Sequence, residues 1–216
     1  TGVGWTGQAS LVHWSDEMRA IMNLKPAFKN KQNLVEAIYG TLDGHIYFLD
    51  LADGTPTRDA INMGMCFKGS GALDPRGYPL MYVGSGDENS EGKRPRMFVI
   101  SLIDGKILFQ YGHEESLSYR QDNDRWCAFD SSPLVDAETD TLIWGGESGI
   151  LYTIKLNTTY DKDAGTIDVS PDKPFKTRYR DDYLRKSRYL GYEDSVCIVD
   201  HWLYVADNAG MFYCVD

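Results

Sequence analysis

The stretch Asp43–Gly54, DGHIYFLDLADG, alternates apolar and polar residues between two Asp-Gly turns, the pattern of a half-buried strand held between tight turns. Three relatives of it follow: RMFVISLIDG (Arg96–Gly105), SGILYTIKL (Ser148–Leu156) and AGMFYCVD (Ala209–Asp216). Ile46, Met97, Leu151 and Phe212 hold equivalent places in these segments, separated by 51, 54 and 61 residues. A repeat at that period points to a supersecondary unit that stacks on copies of itself.

Each copy carries a second strand just upstream, in AIYGTLDG, LMYVGSGD, LIWGGESG and LYVADNAG. Gly40, Gly84, Gly145 and Ala206 align there, and a small side chain at that point lets neighbouring backbones approach closely. A further strand precedes that one, in GQASLVHW (Gly7–Trp14), GSGALD (Gly69–Asp74), SSPLVD (Ser131–Asp136) and SVCIVD (Ser195–Asp200); the last three close on Asp74, Asp136 and Asp200. After the LADG or LIDG turn comes a fourth strand, such as KILFQYG at Lys106–Gly112. Helical periodicity is confined to SDEMRAIMNL, Ser15–Leu24, where Ser15 is placed to cap a helix with Asp16 and Glu17 in its first turn. This helix is expected on the face opposite the long loops, as a partner contact or a plug.

The expected fold is all-β: a β-propeller of four-stranded antiparallel blades, each sheet burying both faces against its neighbours. A two-sheet sandwich does not account for a fourfold alignment of three strands. The whole of residues 1–216 is read as one propeller domain, with blade 1 at about 7–62, blade 2 at about 65–112, blade 3 at about 127–180 and blade 4 at about 193–216. Blade 4 stops short of its outer strand. Two readings stay open: part of a larger ring of seven or eight blades, or a self-closed four-blade toroid. In the first, the end blades expose apolar faces and favour self-association.

The pattern IYGTLDGHIYFLDLADG, with the later segment Phe129–Asp136, resembles the PQQ-type repeats of quinoprotein dehydrogenases and of related non-enzymatic propellers, over most of residues 7–216. The resemblance implies the fold. It also implies a G-x-x-x-W docking motif after each DG turn, but Gly54–Arg58 and Gly105–Phe109 end in Arg and Phe instead of Trp. The dehydrogenases of this family carry adjacent cysteines over the cofactor, a calcium site and a catalytic Asp. No Cys-Cys pair occurs here, and no calcium ligands map onto a matching motif. No catalytic residue, no metal site and no cofactor are therefore expected, with PQQ and calcium as the alternatives that the resemblance leaves open.

Bulk properties narrow the partners. A formal charge of -10 repels phosphate backbones and anionic headgroups, so neither nucleic acid nor a membrane surface is expected as partner. No apolar run approaches the roughly 20 residues that span a bilayer. The four cysteines, 66, 127, 197 and 214, lack CxxC spacing and read as small buried hydrophobes or as one disulfide. GVGWTG at Gly2–Gly7 lacks the strand-then-helix context of a dinucleotide loop, and DKDAG at Asp161–Gly165 lacks the distal Glu of a calcium loop.

Topology then indicates where a ligand would sit. The longest connections fall on one face, and Tyr119, Arg120, Trp126, Tyr183, Arg185 and Tyr189 in them are of the types enriched at recognition hot spots. Lys68, Asp130, Ser131, Asp194 and Ser195 are expected at the mouth of the central channel, either as a small-molecule or ion site or as groups bonded to backbone and water. The expected function is a non-catalytic binding or scaffold propeller outside the cytoplasm (secreted, periplasmic or on the cell surface), recognising a protein, small-molecule or glycan ligand. The alternative is a PQQ-dependent dehydrogenase or another enzyme on the same scaffold.

Overall fold

The computed structural model describes residues 4, 6–86, 95–112, 127–178 and 191–216. The repeated segments form separate antiparallel sheets in chain order. The first contains β1 (Ser10–Val12), β2 (Glu36–Gly40), β3 (His45–Asp50) and β4 (Ile61–Asn62). The second contains β5 (Ala72–Leu73), β6 (Leu80–Gly84), β7 (Met97–Ser101) and β8 (Ile107–Tyr111). In the third, β9 (Leu134–Asp136), β10 (Thr141–Gly145) and β11 (Leu151–Lys155) are completed by β14 (Phe175–Thr177), after an inserted hairpin of β12 (Thr159–Asp161) and β13 (Thr166–Asp168). The fourth has three strands: β15 (Cys197–Val199), β16 (Trp202–Ala206) and β17 (Phe212–Val215). These are β-propeller blades.

The turns are set by aspartate and glycine together. Asp43, Asp53 and Asp104 each accept a hydrogen bond from the backbone N–H two residues on, at 3.1, 2.9 and 3.2 Å. The intervening Gly44, Gly54 and Gly105 take φ of 83°, 72° and 80°, which a side chain would resist. These aspartates therefore build turns.

Blades meet through one recurring contact. A methyl group on Gly40 would lie 2.7 Å from the Phe67 ring, and one on Gly145 2.5 Å from Tyr192 Cβ. One on Gly84 would lie 2.1 Å from the carbonyl oxygen of Phe129. Phe67, Phe129 and Tyr192 each stand five residues before the first strand of the following blade. So each aromatic rests on the glycine of the blade before it, and the core falls into one cluster per seam.

The first seam has a second fastening that sequence reading missed. Glu36 and Arg58 are almost wholly buried, with Arg58 donating to the Glu36 carboxylate at 3.0 Å through Nε and 2.5 Å through Nη2. Trp14 Nε1 and Thr57 Oγ1 donate to the same carboxylate at 2.9 and 2.5 Å. Arg58 then crosses into blade 2, donating at 2.6 Å to the carbonyl of Leu102. The residue at the docking-tryptophan position thus still docks, by charge-assisted hydrogen bonds and by stacking its guanidinium 4.5 Å from the Phe48 ring centroid.

The helical segment is α1 (Asp16–Ile21), with Ser15 Oγ accepting from Met18 N at 3.2 Å, followed by a single turn, α2 (Pro26–Lys29). It lies in the connection between β1 and β2, and Met18, Met22, Leu24 and Phe28 enter the core of the first seam. The β12–β13 hairpin of blade 3 reaches across to it: Tyr160 Oη donates to Met18 Sδ at 3.7 Å, and Gly165 faces Ile21. DKDAG is the turn of that hairpin.

Blade 4 differs from the sequence alignment by one residue. Cys197 pairs with Tyr204, as Leu134 pairs with Ile143, so Asp200 falls beyond the strand in a two-residue turn with φ of 55°. The corresponding turn in blade 3 has four residues, so the sequence match of SVCIVD to SSPLVD is offset against the strands. The cysteines differ too: Cys127 is buried, but Cys197 and Cys214 are exposed on blade 4 as free thiols. Leu11 and Phe212 are 55% and 70% exposed, so blades 1 and 4 do not close on each other as a four-blade toroid.

Two substitutions test these seams. Gly84→Ala should lower unfolding free energy by about 1–3 kcal/mol in urea titrations, whereas Ala206→Gly at the uncovered end stays within about 0.5 kcal/mol. Glu36→Ala should cost about 3–5 kcal/mol, because it strands the buried guanidinium. A neutral Gly84→Ala contradicts the close-approach account.

Candidate functional site

The channel-mouth residues divide. Lys68 and Asp130, from the segments that lead into blades 2 and 3, come together, with Nζ 3.8 Å from Oδ2. Ser131 is buried and donates at 2.7 Å to the carbonyl of Gly145. Asp194 and Ser195 are exposed, and the register offset aligns Ser131 with Asp194 rather than with Ser195. The surroundings are backbone-crowded: a methyl group on Gly69 would fall 2.0 Å from the Asp130 carbonyl oxygen. Tyr119, Arg120, Trp126, Tyr183, Arg185 and Tyr189 lie outside the described residues.

Asp43, at the β2–β3 turn, has its carboxylate occupied internally. It accepts from Thr41 Oγ1, from His45 N at 3.1 Å and from Tyr47 Oη at 2.8 Å. Burial pushes its pKa up, but these hydrogen bonds outweigh burial and hold it at about 2. Among the described residues no three His, Cys, Asp or Glu side chains are grouped to hold a metal ion. No helix there is long and apolar enough to cross a membrane.

The face that carries the helices holds a cleft of about 540 Å³. One wall is the β7–β8 turn of blade 2, and the other is the β12–β13 hairpin. Ile103, Leu108, Tyr160 and Ile167 supply apolar lining, with Asp104, Lys106, Asp161 and Asp168 among the polar groups. Tyr160 packs against Tyr78 with ring centroids 4.9 Å apart and planes tilted by 46°, which fixes the hairpin against blade 2. Lys106 Nζ lies 2.6 Å from Asp104 Oδ2. Burial raises the Asp104 pKa, but hydrogen bonds from Lys106 and Ser101 and the ammonium charge bring it below the usual range. That carboxylate is ionised at neutral pH and is a poor proton donor. The lining contains neither His nor Cys.

Sequence reading missed this cleft because its walls come from residues 101–108 and 159–168, and the second wall is an insertion in one blade only. The available signal was the excess length between the third and fourth strands of blade 3.

The fold and these surfaces define a run of propeller blades. No protein-family model matches the chain, and no curated protein matches it in sequence. Among solved structures it is similar to BamB from Moraxella catarrhalis, at 16% identity and a TM-score of 0.54, over 84% of this chain and 46% of that one. It is similar also to Sqt1 of Saccharomyces cerevisiae, at 16% identity and a TM-score of 0.52, over 86% of this chain and 42% of that one. A quinohemoprotein alcohol dehydrogenase from Comamonas testosteroni matches at 12% identity and a TM-score of 0.56, over 93% of this chain and 35% of that one. The chain thus spans less than half the length of these structures, and at such identities the likeness is one of fold.

The Asp43 network predicts a pH effect. Its folded-state pKa lies below the unfolded value of about 3.9, so its stabilisation is complete above about pH 4 and lost as pH falls towards 2. The stability gap between wild type and Asp43→Asn in urea should close across that window. A gap independent of pH contradicts the assignment.

Proposed function

We propose that the chain is a non-catalytic binding propeller that takes an extended segment of a protein partner along the cleft between the β7–β8 turn and the β12–β13 hairpin. The observation that carries this reading is the cleft itself: apolar lining bordered by strand backbones and charged side chains. Such a groove offers backbone hydrogen bonds along a strand edge and pockets for alternate side chains. Three aspartates against one lysine favour a segment with basic residues beside its apolar ones. Location outside the cytoplasm belongs to this reading and rests on the resemblance of the repeats to the PQQ type.

The rival reading is a PQQ-dependent dehydrogenase. What supports the binding reading over this one is that the four cysteines lie apart in the sequence, with no adjacent pair to cover a quinone. The dehydrogenase among the similar structures supports the scaffold that the two readings share, and does not favour its chemistry here.

Two measurements separate them. Selection from a random peptide library should enrich basic-apolar sequences on the wild-type protein and lose them on Asp161→Lys/Asp168→Lys; equal enrichment on both overturns the cleft as the site. Incubation with PQQ and Ca²⁺ should leave the melting temperature unchanged. A rise of about 5 °C or more, the mass-action effect of a ligand well above its Kd, would favour the dehydrogenase.

A further inference from the structure

Arg76 reaches both sides of the second seam without entering the cleft. It sits in the β5–β6 turn of blade 2, before Gly77, whose φ of 77° closes that turn. Its guanidinium binds both oxygens of Asp74, through Nε at 2.9 Å to Oδ1 and through Nη2 at 2.6 Å to Oδ2. The Asp74 side chain has no exposed surface, and Tyr82 Oη also donates to it, at 2.7 Å. Two parallel hydrogen bonds to a buried carboxylate fix the plane of the guanidinium. The remaining corner, Nη1, donates at 2.6 Å to Asp140 Oδ1, in the β9–β10 turn of blade 3.

Two chains of contact run from this one group to the hairpin wall. The first passes through Asp140 to Thr158, the residue before β12. Asp140 Oδ2 accepts from Thr158 N at 2.7 Å and Oδ1 from Thr158 Oγ1 at 2.8 Å, while Arg76 Nη2 donates to that hydroxyl at 3.4 Å. In the second, the guanidinium carbon stands 4.6 Å from the Tyr78 ring centroid, and that ring packs against Tyr160 of β12. The chains end on Thr158 and Tyr160, on either side of Thr159, which lines the cleft. Arg76 itself lines no part of it.

The hairpin needs such an anchor. Among the described residues, β12 and β13 pair only with each other, three residues against three. Two strands of that length are marginal in water, so their ladder lasts only while the hairpin is docked. The seam depends less on Arg76, because Phe129, Trp144 and Tyr152 fill it with aromatic packing. We propose that Arg76 is the positioning residue of the cleft: from outside it, the guanidinium sets the place of the hairpin wall opposite the β7–β8 turn. Lysine does not replace it, since one ammonium cannot bind a carboxylate through a fork, reach a second and stack on a ring at once. A wall held in advance spares a ligand the cost of ordering it, so Arg76 raises affinity without touching the ligand. The effect on affinity rests on the cleft being the binding site, and the effect on the hairpin does not.

Amide hydrogen exchange of Arg76→Lys and Tyr78→Leu tests the positioning, with circular dichroism to check that each variant keeps its sheet content. Arg76→Lys keeps a positive charge beside the buried Asp74, and Tyr78→Leu breaks the second chain of contact alone. The expected result is exchange about tenfold faster at residues 158–168 in each variant, with β6, β7, β10 and β11 at wild-type rates. Unchanged hairpin exchange in Arg76→Lys overturns the proposal. So does an acceleration shared equally by those four strands, which marks Arg76 as a fastening of the seam only. Calorimetric titration with a peptide of alternating lysine and valine tests the consequence, and wild type should bind about tenfold more tightly than Arg76→Lys. Equal affinity of the two, with the hairpin loosened, overturns the role in binding. A wild type that does not bind the peptide, with hairpin exchange raised as expected in the variants, upholds the positioning and removes the binding function of the cleft.

Discussion

Everything in this fold depends on how closely two sheets can approach at a seam. Gly84 and Phe129 show the limit: the space for a β-carbon on Gly84 is taken by the Phe129 backbone and ring, with Trp144 also close by. Packing this tight gives up a side chain on one sheet so that an aromatic can fill the gap from the next. Repeated at Gly40 with Phe67 and Gly145 with Tyr192, the contact sets the spacing from which the successive blades follow. A chain that stacks units in this way gains its stability from nearest-neighbour interfaces, with little from any single sheet.

The first seam adds an electrostatic fastening to that packing. A carboxylate with no exposed side-chain surface is tolerable only when its oxygens are fully engaged, and Glu36 receives donors from Trp14, Thr57 and Arg58. Since Arg58 also reaches Leu102, the network ties the β1–β2 connection, strand β2, the β3–β4 connection and blade 2 into one unit. Where the PQQ-type repeat places a tryptophan, this chain keeps a contact between blades by other chemistry.

The strands and their order were legible in the sequence because the pattern is local: a strand ending on a small residue and the apolar strand after it, four times over, with Asp-Gly turns marking blades 1 and 2. Ser15 likewise announces the helix it caps. What escaped was non-local or came from insertion. The Glu36–Arg58 pair spans 22 residues, and nothing near either residue advertises it. The β12–β13 hairpin has strands of three residues each around an acidic turn, too short for periodicity to register, yet it makes one wall of the cleft. The one-residue offset of Asp194 arises because the turn after β15 is two residues shorter than the turn after β9, a difference that a gapless comparison absorbs into the wrong strand. The candidate site was the least legible part, because helices and hairpin come together on a face where the repeat itself is silent.

If seams carry the stability, protection should follow the number of covered faces rather than strand length or order in the chain. Amide hydrogen exchange on dilute protein measures this directly. The account predicts the slowest exchange in β6, β7, β10 and β11, whose sheets are covered on both sides, and much faster exchange in β15–β17, covered on one. Equal protection of β17 and β7 under those conditions would contradict it.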